Sequence, residues 1–158
     1  MPLVLCRVDD RLVHGQVVVG WGRPLAAERI VLVDDTVAAN AWEQDLYRLA
    51  TPPGITLEVL DVAAACAALA GLAADPRRTL LVTGDLAAMR ALHQADPVAV
   101  HAVNLGGIHF APGRRERLPY LFLSDAELGD VQALEAAGAE VRAQDVPTAA
   151  PVPIAGFA

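Results

Sequence analysis

Five ionisable side chains fall within eight residues: Arg7, Asp9, Asp10, Arg11 and His14, in the stretch Arg7-Val8-Asp9-Asp10-Arg11-Leu12-Val13-His14-Gly15-Gln16. A neutral imidazole is nucleophilic near physiological pH, and its surroundings readily tune its pKa. A phosphorylated imidazole keeps a large transfer potential, so His14 is suited to take a phosphoryl group and pass it on. Phosphoryl transfer asks mainly for positioning and charge stabilisation. Arg7 and Arg11 can supply the latter, because a guanidinium forks onto phosphate oxygens and stays charged. Backbone N–H groups of Gly15 and Gln16 would add anion stabilisation if they open a helix, and Gly15 allows close approach beside the ring. Asp9 or Asp10 can orient the imidazole or the arginines. The same residues equally suit a plain loop held by arginine–aspartate pairs beside an idle histidine.

Other polar residues offer weaker chemistry. His93 lies in a helical pattern and reads as solvated or partly packed; His101 opens an apolar strand and reads as satisfied in or near the core. His109 follows a glycine pair and can lie near the active edge. No HxH, HExxH or CxxC spacing joins these residues, so no metal is expected. The only serine, Ser124, precedes Asp125 as a helix cap, outside any GxSxG elbow. There is no GxGxxG for a dinucleotide, and no lysine for a GxxxxGK phosphate loop.

The elements that must hold the loop are short apolar runs alternating with longer helical patterns. The runs are Leu3–Val8, Arg29–Val33, Ile55–Leu60, Thr79–Val82, Val98–Asn104, Tyr120–Leu123 and Ala139–Arg142. Several are continuously apolar, as strands buried on both faces are. Helices are predicted over Ala39–Leu49, with Trp42, Leu46 and Leu49 on one face, over Val62–Leu72, and over Leu86–Gln94 behind the cap Asp85. A further helix runs over Ala126–Ala137 behind Ser124-Asp125 and stops at Gly138. The alternation predicts one α/β domain over residues 1–158 with a mainly parallel sheet. The loop Asp9–Gln16 then sits at the carboxyl end of the first strand, where such sheets bind ligands. Residues 106–119 and a proline-rich tail from about 147 read as irregular.

Composition narrows the field further. The chain is 54% hydrophobic with a formal net charge of −7, against disorder and against nonspecific nucleic-acid binding. Cys6 and Cys66 lie in apolar surroundings and read as buried reduced thiols. No apolar run reaches the roughly 18 residues that span a bilayer, and the opening segment lacks a signal-peptide pattern. The expectation is a soluble, cytoplasmic protein.

The segment RVDDRLVHGQVVVGW resembles the active-site segment of the mannose/sorbose-type IIB components of the sugar phosphotransferase system, which reads R-[IV]-D-D-R-L-[IV]-H-G-Q-V. IVLVDDTVAAN, ATPPGITLEV, VNLGGIHFAPG and LEAAGAEVRAQDVP resemble further family segments, so the similarity runs from Leu3 to about Pro147. The resemblance implies a seven-stranded, largely parallel sheet flanked by helices on both faces. It implies that His14 receives phosphate, through Nδ1, from a phosphohistidine on a IIA protein, with Arg7 and Arg11 contacting the phosphoryl group. The phosphate then passes to a sugar bound by membrane IIC and IID components, with which the chain would associate peripherally. Asp9, Asp10, Gly15 and Gln16 match the motif. Asp35, Asn104, Gly106 and Gly107 match segments placed beside it, though Asp34 and Asp35 also suit a turn and Asn104-Leu105-Gly106-Gly107 a tight turn of glycine conformations. Thr83 stands where relatives often carry lysine or serine nearby, and can bond phosphate. Arg114, Arg115 and Arg117 suit either a docking edge or a solvated loop. No cofactor is implied beyond the covalent phosphohistidine. Trp21 and Trp42 read as core or interface anchors, and an apolar surface can support a homo-oligomer. A regulatory phosphohistidine protein and a non-catalytic anion-binding module remain as rivals.

Overall fold

Strand β1 (Leu3–Val8) lies inside the sheet, and its position decides where the loop after it can go. The structure is a computed structural model that describes residues 3–158, with Gln16 described by its backbone alone. After β1 come a π-helical segment (Gln16–Gly22), β2 (Arg29–Val33), α1 (Asp35–Ala38), α2 (Ala41–Ala50), β3 (Thr56–Leu60), α3 (Val62–Ala74), β4 (Thr79–Thr83) and α4 (Leu86–Ala95). Then follow β5 (Ala102–Leu105), β6 (Arg115–Leu118), β7 (Leu121–Leu123), α5 (Asp125–Ala136), β8 (Glu140–Ala143) and β9 (Val152–Pro153). The seven-stranded sheet has the order β3-β2-β4-β1-β5-β8-β9, and only β9 is antiparallel. The α/β class and the seven-stranded, mainly parallel sheet agree with the expectation.

The makeup of that sheet differs from it in one place. The run Tyr120–Leu123 contributes β7, which pairs with β6 in a separate antiparallel hairpin. That hairpin occupies part of the stretch 106–119 expected to be irregular. The seventh place in the sheet goes to the tail, where Val152–Pro153 joins β8. A proline has no N–H to donate, and an edge strand is where that costs least. The run Val98–Asn104 also starts late: Asp96 accepts from Val98 N (3.2 Å) and Ala99 N (3.0 Å), holding a turn before β5. His101 is consequently exposed rather than core.

The helices begin where their caps stand. Asp34, Asn40, Asp61, Asp85 and Ser124 each accept a backbone N–H in the first turn, and Ser124 with Glu127 forms a reciprocal capping box. Gly138 ends the last helix with φ +101°, a conformation glycine adopts without strain. Helices α3, α4 and α5 cover one sheet face, packing Leu69, Leu72, Met89, Leu92, Val131 and Leu134 against Cys6, Val8, Val31 and Leu81. The opposite face is covered by Leu12, Val13, Val17, Val18 and Val37 over Ile30, Leu32, Leu80 and Val82. Each such side chain contributes about 1.5–3 kcal/mol by leaving water. The predicted stripe on α2 faces outward instead: Trp42 is 70% and Leu49 84% exposed, and no residue of α2 is buried. His93 departs too; it is buried, with Nδ1 2.7 Å from the Val100 carbonyl.

Cys6 is buried and Cys66 half-buried, both as free thiols, and burial pushes the Cys6 pKa up to about 12. Among the described residues no helix is long and apolar enough to cross a membrane.

Strands β4 and β5 flank β1 on opposite sides of it in the sheet although they follow one another along the chain. The chain therefore reverses its direction of sheet growth at β1, and the carboxyl ends of these three strands frame a crevice.

Candidate functional site

Asp9 follows β1 directly and is fully buried at the centre of this crevice. Its backbone N–H bonds to the Thr83 carbonyl at the end of β4 (2.9 Å), and the next N–H, of Asp10, bonds to the Gly107 carbonyl beyond β5 (2.8 Å). The loop is thereby pinned to both neighbours of β1. One Asp9 oxygen accepts from the Arg11 backbone N–H (3.1 Å) and Arg11 Nε (3.2 Å). The other accepts from Arg7 Nη2 (3.3 Å), Arg11 Nη2 (3.2 Å) and Gly107 N (3.3 Å). Burial alone would raise the Asp9 pKa, but the Arg11 hydrogen bonds and the charge of Arg7 outweigh it and hold the carboxyl below its ordinary range.

Leu12 then turns the chain. It adopts φ +59°, a left-handed conformation that few branched residues take, while its N–H bonds to the Asp9 carbonyl (3.0 Å). Burial of Leu12 and Val13 in the core supports the turn. The chain returns on itself, and His14 Nε2 arrives 3.4 Å from Asp9 Oδ1. That is longer than a full hydrogen bond but close enough to orient the ring. An ionised carboxylate only attracts protons, so it favours the tautomer with hydrogen on Nε2 and the lone pair on Nδ1. The His14 side chain is 21% exposed. Burial lowers its pKa below the ordinary value, Asp9 partly opposes this, and Arg11 adds to it, which favours the neutral ring.

Arg7, expected as a phosphoryl contact, lies beneath the loop with no exposure. Its Nη1 donates to Asn104 Oδ1 and to the Gln144 carbonyl (2.8 Å). Its Nη2 donates to Asp9 and to the Asp145 carbonyl (2.9 Å), and its guanidinium lies 4.9 Å from the Trp21 ring centroid. These partners occupy both terminal nitrogens, so Arg7 acts on the site by holding Asp9. Arg11, whose side chain is 33% exposed, is the arginine that faces outward.

Gly106 and Gly107 are explained by space rather than by glycine conformations, since neither has a positive φ. A Cβ on Gly106 would collide with the Arg7 guanidinium, 2.7 Å from Nε, and one on Gly107 would lie 3.1 Å from Arg11 Nη2. Gly15 has right-handed helical angles, and a Cβ there would meet nothing within 4 Å. The π-helical segment opens directly behind it, and the His14 carbonyl accepts from Val18 N (2.9 Å). Any role of the Gln16 side chain lies outside the described residues.

Two further candidate members engage their side chains elsewhere. The Asp35 carboxylate accepts from Val62 N (2.8 Å), joining β2 to the start of α3. The Thr83 hydroxyl donates to the Asp85 carbonyl (2.9 Å), inside its own turn. A neighbouring recess of about 430 Å³, lined by Asp34, Asp35, Thr36 and Asp85, contains no residue of the His14 loop. Asp34 caps α1, accepting from Val37 N (2.9 Å). Asp10 reaches a residue of the opposite lip, with Oδ1 2.6 Å from His109 Nδ1. The arginines that suited either a docking edge or a solvated loop are engaged in ion pairs: Arg114 pairs with Glu127, while Arg115 and Arg117 share Asp125. Trp21, Gln144 and Asp145 were not anticipated around Arg7; the closing segment AEVRAQDVP and the tryptophan at the end of the first motif were the available signals.

Among the described residues no three His, Cys, Asp or Glu side chains converge as metal ligands would. The geometry offers a neutral imidazole, fixed by a buried carboxylate, beside one outward guanidinium. That set can attack an electrophilic phosphorus and stabilise its oxygens.

Comparison with known proteins gives a consistent picture. Residues 3–157 match the family described as the PTS system sorbose subfamily IIB component. The N-acetylgalactosamine-specific phosphotransferase enzyme IIB component 1 of Escherichia coli K12 is 30% identical over 146 residues, covering 92% of this chain and 91% of that protein. The mannose-specific EIIAB component of the same organism is 30% identical over 94% of this chain, which spans only 46% of that longer relative. The crystal structure of the E. coli N-acetylgalactosamine-specific IIB component 1 superposes with a TM-score of 0.88 at 28% identity, covering 95% of this chain and 97% of the other. The IIBSor domain of the sorbose permease from Klebsiella pneumoniae superposes with a TM-score of 0.89 at 25% identity, covering 98% and 94%.

Proposed function

Since the chain belongs to the sorbose subfamily of IIB components of the sugar phosphotransferase system, we propose that it is a phosphocarrier in which His14 is the phosphorylated residue. IIB components are phosphotransferases of sugar uptake. In our reading, Nδ1 of His14 attacks the phosphorus of a phosphohistidine on a IIA protein. The new N–P bond forms as the donor's N–P bond breaks, and the donor imidazole leaves with the electron pair. Arg11 balances charge on the phosphoryl oxygens, while Asp9 keeps the Nε2 proton of His14 in place. In the second step a sugar hydroxyl, bound by membrane IIC and IID components, attacks the phosphorus and gives up its proton. His14 regains its lone pair. The chain would work in the cytoplasm at the membrane face. The observation that carries this reading is the placement of His14 Nε2 at 3.4 Å from the buried Asp9 carboxylate, which favours the proton on Nε2 and the lone pair on Nδ1.

The test is the chemistry of the label. A phosphorylated IIA protein should load one phosphoryl group per chain, labile in acid and stable in base, as an imidazole phosphate is. An acid-stable label, or binding of phosphate without a covalent label, would overturn the reading.

Two further results are expected. Arg11→Ala should slow transfer about 10- to 150-fold with the fold intact, the consequence of losing one charge-assisted contact on the order of 1.5–3 kcal/mol. A wild-type rate would remove Arg11 from the site. The pH profile follows from the lowered pKa of His14. Attack needs the neutral ring, which prevails above the ring's own pKa. Transfer should therefore be flat near pH 7 and fall to half only at a pH below 6.5, the ordinary value. A midpoint above 6.5 would contradict the assignment.

A further inference from the structure

His109 is an exposed residue held with unusual order. Its side chain is 60% exposed, yet Nδ1 lies 2.6 Å from Asp10 Oδ1 and its backbone N–H donates to Asp10 Oδ2 (2.7 Å). Its carbonyl accepts from Arg114 Nη1 (2.9 Å). Arg114 is itself clamped by both oxygens of Glu127 (2.8 and 2.9 Å), the residue that closes the capping box of α5. The residue is thus tied by its imidazole to the His14 loop and by its backbone carbonyl, through Arg114, to a helix. Because a carboxylate takes the Nδ1 side, the remainder of the ring, with Nε2, is the part presented to solvent. The next residue, Phe110, is 69% exposed, and its ring is propped edge-on against Phe122 at 6.2 Å and 84°.

We propose that His109 and Phe110 form a preorganised lip that docks the phosphohistidine-bearing donor protein. This rests on the carrier function proposed above. Three observations favour that occupant. Asp10, which orients His109, is adjacent in sequence to Asp9 and Arg11, so any protein that presents a phosphoryl group to His14 must cover this rim. Of the neighbouring arginines, Arg114 is paired with Glu127 while Arg115 and Arg117 share the one carboxylate of Asp125, which leaves the aromatic ring and the outer edge of the imidazole as contact groups beside arginines already engaged in ion pairs. An interface built on one aromatic and one imidazole is small, and small contacts release quickly. A donor needs that property, because it must leave before the acceptor can reach the phosphoryl group on His14. Ordering the two side chains in advance lowers the entropy cost of each encounter.

The test compares two donors. One is a IIA protein that charges the wild-type chain, titrated to obtain KM and kcat. The other is phosphoramidate, a small phosphoryl donor that needs no docking face. In His109→Ala and in Phe110→Ala, KM for the protein donor should rise about fivefold or more, the scale of one interface side chain that matters, with the effect confined to that donor. An unchanged KM in both variants overturns the proposal. Equal slowing with both donors also overturns it, because the residues would then be shaping the reacting centre. A wild-type chain that takes label from phosphoramidate on a residue other than His14, or from neither donor, defeats the carrier function itself and the docking lip with it.

Discussion

Asp9→Ala is expected to cost about 3–5 kcal/mol of stability and to reduce transfer to a small fraction of wild type. The first effect comes from Arg7, which has no exposure and would lose the one carboxylate that, among the described residues, forms an ion pair with its guanidinium. A buried charge without its partner keeps the full desolvation penalty and loses the compensating attraction. The carbonyls of Gln144 and Asp145 and the Asn104 amide would remain as dipoles, and the Asp145 carboxylate would act on the guanidinium only through a weaker charge attraction than that of Asp9. The substitution also strips acceptors from the Arg11 and Gly107 N–H groups, loosening the loop on which His14 rides. A denaturant midpoint shift measured beside the transfer rate separates the two effects. Loss of less than about 1 kcal/mol would show that neutral acceptors suffice for Arg7, and Asp9 would then be an orienting group only.

His14→Ala should abolish covalent labelling while leaving the fold in place. The two outcomes belong together because of where the ring sits. Its side chain is one-fifth exposed, and its 3.4 Å approach to Asp9 is longer than a full hydrogen bond. The loop is held instead by Leu12, Val13 and the backbone bonds of Asp9 and Asp10. Thermal unfolding should change by about 1–2 kcal/mol, the ordinary scale for a partly buried side chain and well below that expected of Asp9→Ala. Labelling that persists in this variant would move the phosphorylated residue elsewhere and end the assignment.

Much of this was legible because it is local. The alternation of apolar runs and capped helices located most strands within a residue or two, and the charged run after β1 marked the loop that carries the chemistry. What was not legible depends on contacts between distant parts of the chain. Arg7 reads as a ligand-binding residue from its neighbours in sequence, and only Asn104, Gln144 and Asp145 reveal it as a buried support. Gly106 reads as a turn residue, yet its requirement is room for that same guanidinium. The left-handed turn at Leu12 has no local signal, since leucine seldom adopts it and core burial is what sustains it. Trp42 and Leu49 show the converse limit: a helical stripe tells which residues share a side, and not whether that side meets the core.

The bonds from Arg7 to the Gln144 and Asp145 carbonyls cross 137 and 138 positions of chain. During synthesis the arginine leaves the ribosome long before its last acceptors exist. At roughly 5–20 residues per second, that interval is about 7–28 s. Through it the guanidinium must stay hydrated, and β1 cannot settle between its neighbours with a solvated charge at its end. The centre of the sheet is thus among the first segments made and among the last to close. A nascent chain halted before Asp145 would hold the whole His14 motif and still lack the finished site.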